Sequence, residues 1–300
     1  MVETGQHLLG GTFALLSAFL WAAATLFWSV LGKSLPPLVL NLGKGFIALA
    51  CMLPFLLPLP SVLSSGDHLQ AILFLGVSGL LGITIGDTTF FASLNILGPR
   101  RSLLLASLIP VSTALLAMLF LGEWLPPGAY LGAALCVGGV YWVMRERSDR
   151  TVAPTPQARG IFYGCISILA CSSSVILTKQ ALVDIPSLPA TGVRLSAGTL
   201  GLFLLVLVTS KSFKALQPLV SWRILTMLVP VAIASTFFGL WLSLAALQFT
   251  TATVASVLNA TSPLFILPLS AIFLRERISR SALTGTLLAT LGIALLLWLP

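Results

Sequence analysis

Four charged side chains stand inside long apolar stretches: Lys44, Asp87, Lys179 and Arg194. A charge within a bilayer is costly and normally faces a cavity or a partner of opposite sign. Asp87 lies deep in its stretch, in GITIGDTTFF, where a carboxylate can carry a coupling proton, pair with Lys44 or hold neighbouring helices by hydrogen bonds. Lys44 and Arg194 fall within the first two turns of their stretches, so they either line a cavity or snorkel to the headgroups. Lys179 is near the end of its stretch and reads as snorkelling. Ser256, Asn259 and Ser262 share one helical face at three-residue spacing, suited to a cavity wall or to hydrogen bonds between helices. Ser172, Ser173, Ser174 and Thr178 form a looser polar group. Trp21 and Trp241 sit in mid-stretch, where an amphipathic ring can wall a binding site or pack against a neighbour. Trp124, Trp142, Trp222 and Trp298 lie at stretch ends and read as interfacial anchors.

Other chemistries find little support. Cys51, Cys136, Cys165 and Cys171 lack metal-ligand spacing and read as packing residues. His7 and His68, the two histidines, lie at segment edges, and Asp87 has no second mid-stretch carboxylate to form a proteolytic dyad. An intramembrane enzyme is therefore disfavoured. No nucleotide-binding motif or metal site is expected, and no cofactor.

The elements that must position these residues are membrane helices. Charged residues are 8% of the chain and apolar residues 57%, with a mean hydropathy of +1.05. A soluble domain carries about 25% charge, so this chain cannot cover a soluble surface. Continuous apolar runs, each of about 20 residues, fit membrane-spanning helices, since lipid leaves backbone groups no partner outside the segment. Alternating short strands, the mark of a β-barrel, are not seen. Ten spans are predicted: Leu8–Leu31, Leu38–Leu59, Leu69–Leu97, Ser102–Leu121, Gly128–Met144, Ile161–Ala181, Leu188–Thr209, Ile224–Gln248, Ala252–Leu274 and Ser281–Leu299. The first lacks the basic flank and short apolar run of a cleavable signal. The third is long and broken by Gly76, Gly79, Gly82 and Gly86, which favours a bend and close helix contact.

Lys and Arg cluster in loops after spans 1, 3, 5, 7 and 9, from Lys33 through Arg100 and Arg101 to Arg275, Arg277 and Arg280. All these loops fall on one side, which the positive-inside rule makes cytoplasmic, leaving both termini outside. The net charge of +8 is thus a topology signal. No basic patch interleaved with aromatics suggests nucleic acid.

A polar linker, 146–159, divides the chain into 1–145 and 160–300, with five spans each. The halves match at one fixed separation, which relates Gly86 to Gly239, Pro110 to Pro263, Glu123 to Glu276, Gly132 to Gly285 and Gly139 to Gly292. Upstream the register drifts slightly and pairs Lys44 with Arg194. An odd number of spans per half forces the second half to insert upside down. Inverted repeats are a transporter architecture with the site near the midplane, between the repeats. Pro110 and Pro263 fall inside helices and would free the carbonyls of Ala106 and Asn259, as kinks or hinges. Glu123 and Glu276, at span ends, read as structural interface residues paired with nearby basic side chains.

The paired segments SLIPVSTALLAMLFLGEWL (Ser107–Leu125) and LAALQFTTATVASVLNATSPLFILPLSAIFLRERI (Leu244–Ile278), each followed by a Gly-containing helix, resemble EamA-type transporters of the drug/metabolite transporter superfamily. The second copy departs from the pattern with LRE in place of LGE. The resemblance implies an all-α integral membrane fold of ten helices in two inverted five-helix repeats. It also implies a central cavity and secondary transport of small organic metabolites, with many relatives keeping their termini in the cytoplasm. The expectation is a multi-pass protein of the cell membrane, possible as a monomer, that moves a small-molecule substrate by alternating access. Amino acids or other carboxylated solutes, exported and coupled to a proton, fit the surplus of buried cations; a passive channel is the alternative.

Overall fold

The computed structural model describes residues 2–56, 68–120, 122, 127–145, 154–209, 213–273 and 280–298. Glu123, Glu276 and most of the predicted linker lie outside the described residues. The chain is an all-α membrane protein of about ten helices: α1 (Val2–Leu31), α2 (Pro37–Leu56), α3 (Leu69–Leu97), α4 (Pro99–Phe120), α5 (Pro127–Arg145), α6 (Pro154–Ala181), α7 (Ser187–Thr209), α8 (Trp222–Phe249), α9 (252–273) and α10 (Arg280–Trp298). Among the described residues, eight are long and apolar enough to cross a membrane, while α5 and α10 contain the shorter apolar helices Tyr130–Met144 and Ala282–Gly292. Large apolar side chains such as Leu73, Leu119, Phe120, Leu131, Phe162 and Leu291 face outward, as a lipid-facing surface requires. Residues 154–159, expected in the linker, are instead the first residues of α6.

Four helices carry internal irregularities, and these fall at matching places in the two halves. Helix α3 is π-helical over Leu80–Asp87, and α8 over Ala232–Gly239. Helix α4 is interrupted between Pro99–Ala106 (α4a) and Ile109–Phe120 (α4b), and α9 between Ala252–Asn259 (α9a) and Ser262–Phe273 (α9b). This corrects the expectation for the prolines. Pro110 and Pro263 do not kink a continuous helix; each occupies the second position of a new one, where an N–H has no intrahelical acceptor to lose. The carbonyl of Asn259 is not left idle, since the Ser262 hydroxyl donates to it at 2.8 Å. At the other end of α4a, Gly98 adopts φ 79° and lets the chain turn from α3 into Pro99 within one residue.

The halves interlock. Helix α1 packs against α8 and α9, while its mate α6 packs against α3 and α4b. Helix α4a lies on α9b, and α4b on α9a. Gly139 of α5 backs onto Gly285 of α10, and Gly292 onto Gly132. Each glycine meets the repeat mate of the other, the reciprocal pattern of a two-fold axis, and the order of the contacts makes α5 and α10 antiparallel. Equivalent helices therefore run in opposite directions. The buried apolar clusters are likewise shared: Trp28, Leu40 and Phe91 pack in one cluster with Leu228, Ala232 and Ile266, and Leu42 and Ile83 pack in another with Leu195 and Phe237.

Candidate functional site

The irregular segments converge on a central cavity of about 220 Å³. Both π-helical stretches contribute to its wall, through Gly82, Ile83 and Asp87 and through Ser235, Thr236 and Gly239. Both helix interruptions reach it too, through Ser107 and Ile109 and through Asn259 and Ser262. A π stretch or a break leaves backbone groups without their usual partners, and in a membrane such backbone is tolerated where protein covers it or it lines a cavity. Polar side chains do part of this work. Asn41 donates to the Ile83 carbonyl at 2.7 Å and to Thr88 Oγ1 at 2.8 Å, and Ser17 donates to the Gly239 carbonyl at 2.9 Å.

The charged residues at the cavity among the described residues are Lys44, Asp87 and Arg194. Lys44 extends from α2, is 1% exposed, and forms an ion pair with Asp87. Its ammonium also lies 5.2 Å from the Phe91 ring centre and 5.6 Å from that of Trp21, so two aromatic faces share the charge. Phe90 supports Trp21 at 5.6 Å between ring centres. Neither Lys44 nor Arg194 snorkels to the membrane surface: both are buried and point to the cavity.

Arg194, the mate of Lys44, has no carboxylate within ion-pair distance among the described residues. Its Nη2 donates to Ser174 Oγ at 2.8 Å, and that hydroxyl donates onward to the Ser78 carbonyl at 2.8 Å. Glycines make room for it. A Cβ on Gly79 would collide with the Arg194 backbone, and one on Gly82 would stand 3.1 Å from the guanidinium. Gly86 lies against Cys171. A Cβ on Gly76, grouped with them by sequence, would meet nothing within 4 Å.

Of the other sequence-selected residues, Trp21, Ser256, Asn259 and Pro263 line the cavity, and Asn259 Nδ2 donates to Ser243 Oγ at 3.1 Å. Trp241 does not belong to the wall. Its neighbours Leu240 and Ser243 do, and one helical step of about 100° turns Trp241 away. Pro110 is buried behind Ile109 rather than at the wall. Lys179 is neither snorkelling nor at the cavity; its Nζ donates to the carbonyls of Leu247 and Thr250 at 2.7 and 2.6 Å, closing the C-terminal end of α8. Ser174, one of the looser polar group, lines the cavity, while sequence reasoning missed Ser107, Ser235, Thr236 and Ser243. At the separation that relates Gly86 to Gly239, Ser235 and Thr236 stand opposite Gly82 and Ile83, so these hydroxyls occur in the second half alone.

Known proteins similar to this chain match it over different extents. An archaeal protein of Archaeoglobus fulgidus, described as an uncharacterized transporter, is 28% identical over 288 residues, covering 96% of this chain and 97% of that protein. The Haemophilus influenzae protein LicB is 29% identical over 210 residues, which is 67% of this chain and 68% of that one. The uncharacterized transporter YetK of Bacillus subtilis is 32% identical over 121 residues, 40% of this chain and 36% of its own length. A crystal structure at 18% identity superimposes with a TM-score of 0.69, covering 97% of this chain and 96% of that one, which shows the same fold. The model of the EamA-like transporter family matches twice, over residues 8–145 and 158–298, one match to each half. The chain is thus a multi-pass membrane protein that belongs to the EamA-like transporter family.

Proposed function

We propose that this protein is a secondary transporter of the cell membrane that exports small carboxylated organic solutes, amino acids among the candidates, by alternating access. One observation carries the reading: the central cavity is walled by matching irregular segments from two oppositely oriented halves. Two similar halves in opposite orientations can exchange conformations, which turns a cavity open to one side into one open to the other. The interruptions at 107–108 and 260–261 are the natural hinges, because backbone there is not held by a continuous helical ladder. The wall carries two cations against one carboxylate, which favours a ligand with negative charge. A coupling proton would ride on Asp87 only in a state without bound ligand, since the ion pair with Lys44 needs the ionised carboxylate.

The test is counterflow in proteoliposomes made with the purified chain. Vesicles preloaded with an unlabelled carboxylated solute should accumulate the radiolabelled solute transiently, with saturation, and a pH gradient should alter the rate. A pore would give no counterflow. Absence of flux for every carboxylated solute, amino acids included, would remove the reading.

A further inference from the structure

Lys44 and Arg194 are repeat mates at the same cavity, yet their surroundings differ. Lys44 is bonded to Asp87 and covered by two aromatic rings. Arg194 is 6% exposed, is held at Nη2 by Ser174, and its Nε has no hydrogen-bond partner. Two more buried groups at the same wall also lack partners, Thr236 Oγ1 and Ser256 Oγ. Buried polar atoms are nearly always paired, so three at one cavity, one of them on a charged group, describe a donor set for a ligand. All three can donate hydrogen bonds, and the guanidinium is planar and suited to a carboxylate.

We infer that the ligand of this cavity is an organic monoanion whose carboxylate seats on Arg194, with Thr236 and Ser256 as further donors. The inference rests on the carrier reading above and narrows it. A dianion would need a second unopposed cation, and Lys44 is neutralised by Asp87. A zwitterion would need a carboxylate for its ammonium group. Asp87 is the one carboxylate at the wall among the described residues, and taking it would strip the counter-charge from a lysine that water does not reach. One unopposed positive charge matches one negative charge.

The test uses the full-length purified protein in detergent and a matched six-carbon series: hexanoate, hexanamide, norleucine and hexanedioate, a monoanion, a neutral amide, a zwitterion and a dianion. Butanoate and phenylacetate extend the monoanions in size. Binding is read from thermal unfolding at constant ionic strength. At least one monoanion should stabilise the protein, with an affinity about tenfold or more above that of its neutral, zwitterionic and dianionic counterparts. Arg194→Gln should weaken that binding about tenfold or more, and Arg194→Lys, which keeps charge but loses the planar fork, should fall between. Equal binding of norleucine, hexanedioate or hexanamide, no response to any monoanion, or full binding by Arg194→Gln would overturn the inference. If Arg194→Gln does not fold, the comparison of ligands on the unmodified protein still decides. Counterflow of a zwitterion or cation without monoanion binding would overturn the anion seat and leave the carrier intact. Monoanion binding at Arg194 without counterflow would do the reverse.

Discussion

At the scale of the residue, the informative contrast is between two charges at corresponding positions of the two halves, Lys44 and Arg194. Asp87 has no acidic counterpart, since Leu240 holds its place in the second half. Its presence neutralises Lys44, and its absence opposite leaves Arg194 open. Removing one member of a buried pair strands the other, at a cost of about 3–5 kcal/mol, whereas replacing both with apolar groups is often neutral or stabilising. Asp87→Asn should therefore lower stability by about 3–5 kcal/mol, and replacing both with apolar residues, Lys44→Met with Asp87→Leu, should recover most of that loss. Unfolding with SDS in mixed micelles measures both. If the double variant is as unstable as the single one, Lys44 is not the reason Asp87 is needed. The same Asp87→Asn protein reports on coupling: where it remains folded, a transport rate whose pH dependence is unaltered would take the proton away from Asp87.

At the scale of the element, the helices were legible and their interiors were not. Hydrophobic run length determines where a chain can cross lipid, so the span from Leu69 to Leu97 was readable to its ends. Whether it runs as an α-helix throughout depends on packing, and nothing in LLGITIGD marks a π turn. Pro110 and Pro263 signalled a disturbance correctly, but proline is equally at home in the first turn of a helix, and composition does not choose between kink and fresh start. Site membership was readable where charge made it costly to be elsewhere, as for Lys44, Asp87 and Arg194. It was not readable for Trp241 or Thr236, whose placement turns on a helical phase that the π stretches shift. The glycines show the same limit. Gly79 and Gly76 look alike in sequence, yet a methyl at Gly79 meets the Arg194 backbone and one at Gly76 meets open space. Gly79→Ala should cost about 1–3 kcal/mol through overpacking, while Gly76→Ala should be neutral or gain up to about 1 kcal/mol of helix propensity. Equal effects of the two, measured by SDS unfolding, would show that α3 is not held against α7 at Gly79.

At the scale of the whole molecule, the reciprocal contacts between Gly132 and Gly292 and between Gly139 and Gly285 require the halves to run in opposite directions. Inversion has a consequence for sidedness. Ser34 and Asp184 occupy equivalent turns, after α1 and after α6, and both are exposed. In a direct repeat they would face the same compartment; in an inverted one they face opposite compartments. The cluster of Lys and Arg after odd-numbered helices further predicts a cytoplasmic Ser34 turn and an outside Asp184 turn. In a background with Cys51, Cys136, Cys165 and Cys171 replaced, Ser34→Cys should react with a membrane-impermeant maleimide only after the cells are opened, and Asp184→Cys in intact cells. Labelling of both from one side would contradict the inversion itself. The opposite assignment, Ser34→Cys outside and Asp184→Cys inside, would keep the inversion and show that the basic loops do not set the orientation, placing both termini in the cytoplasm.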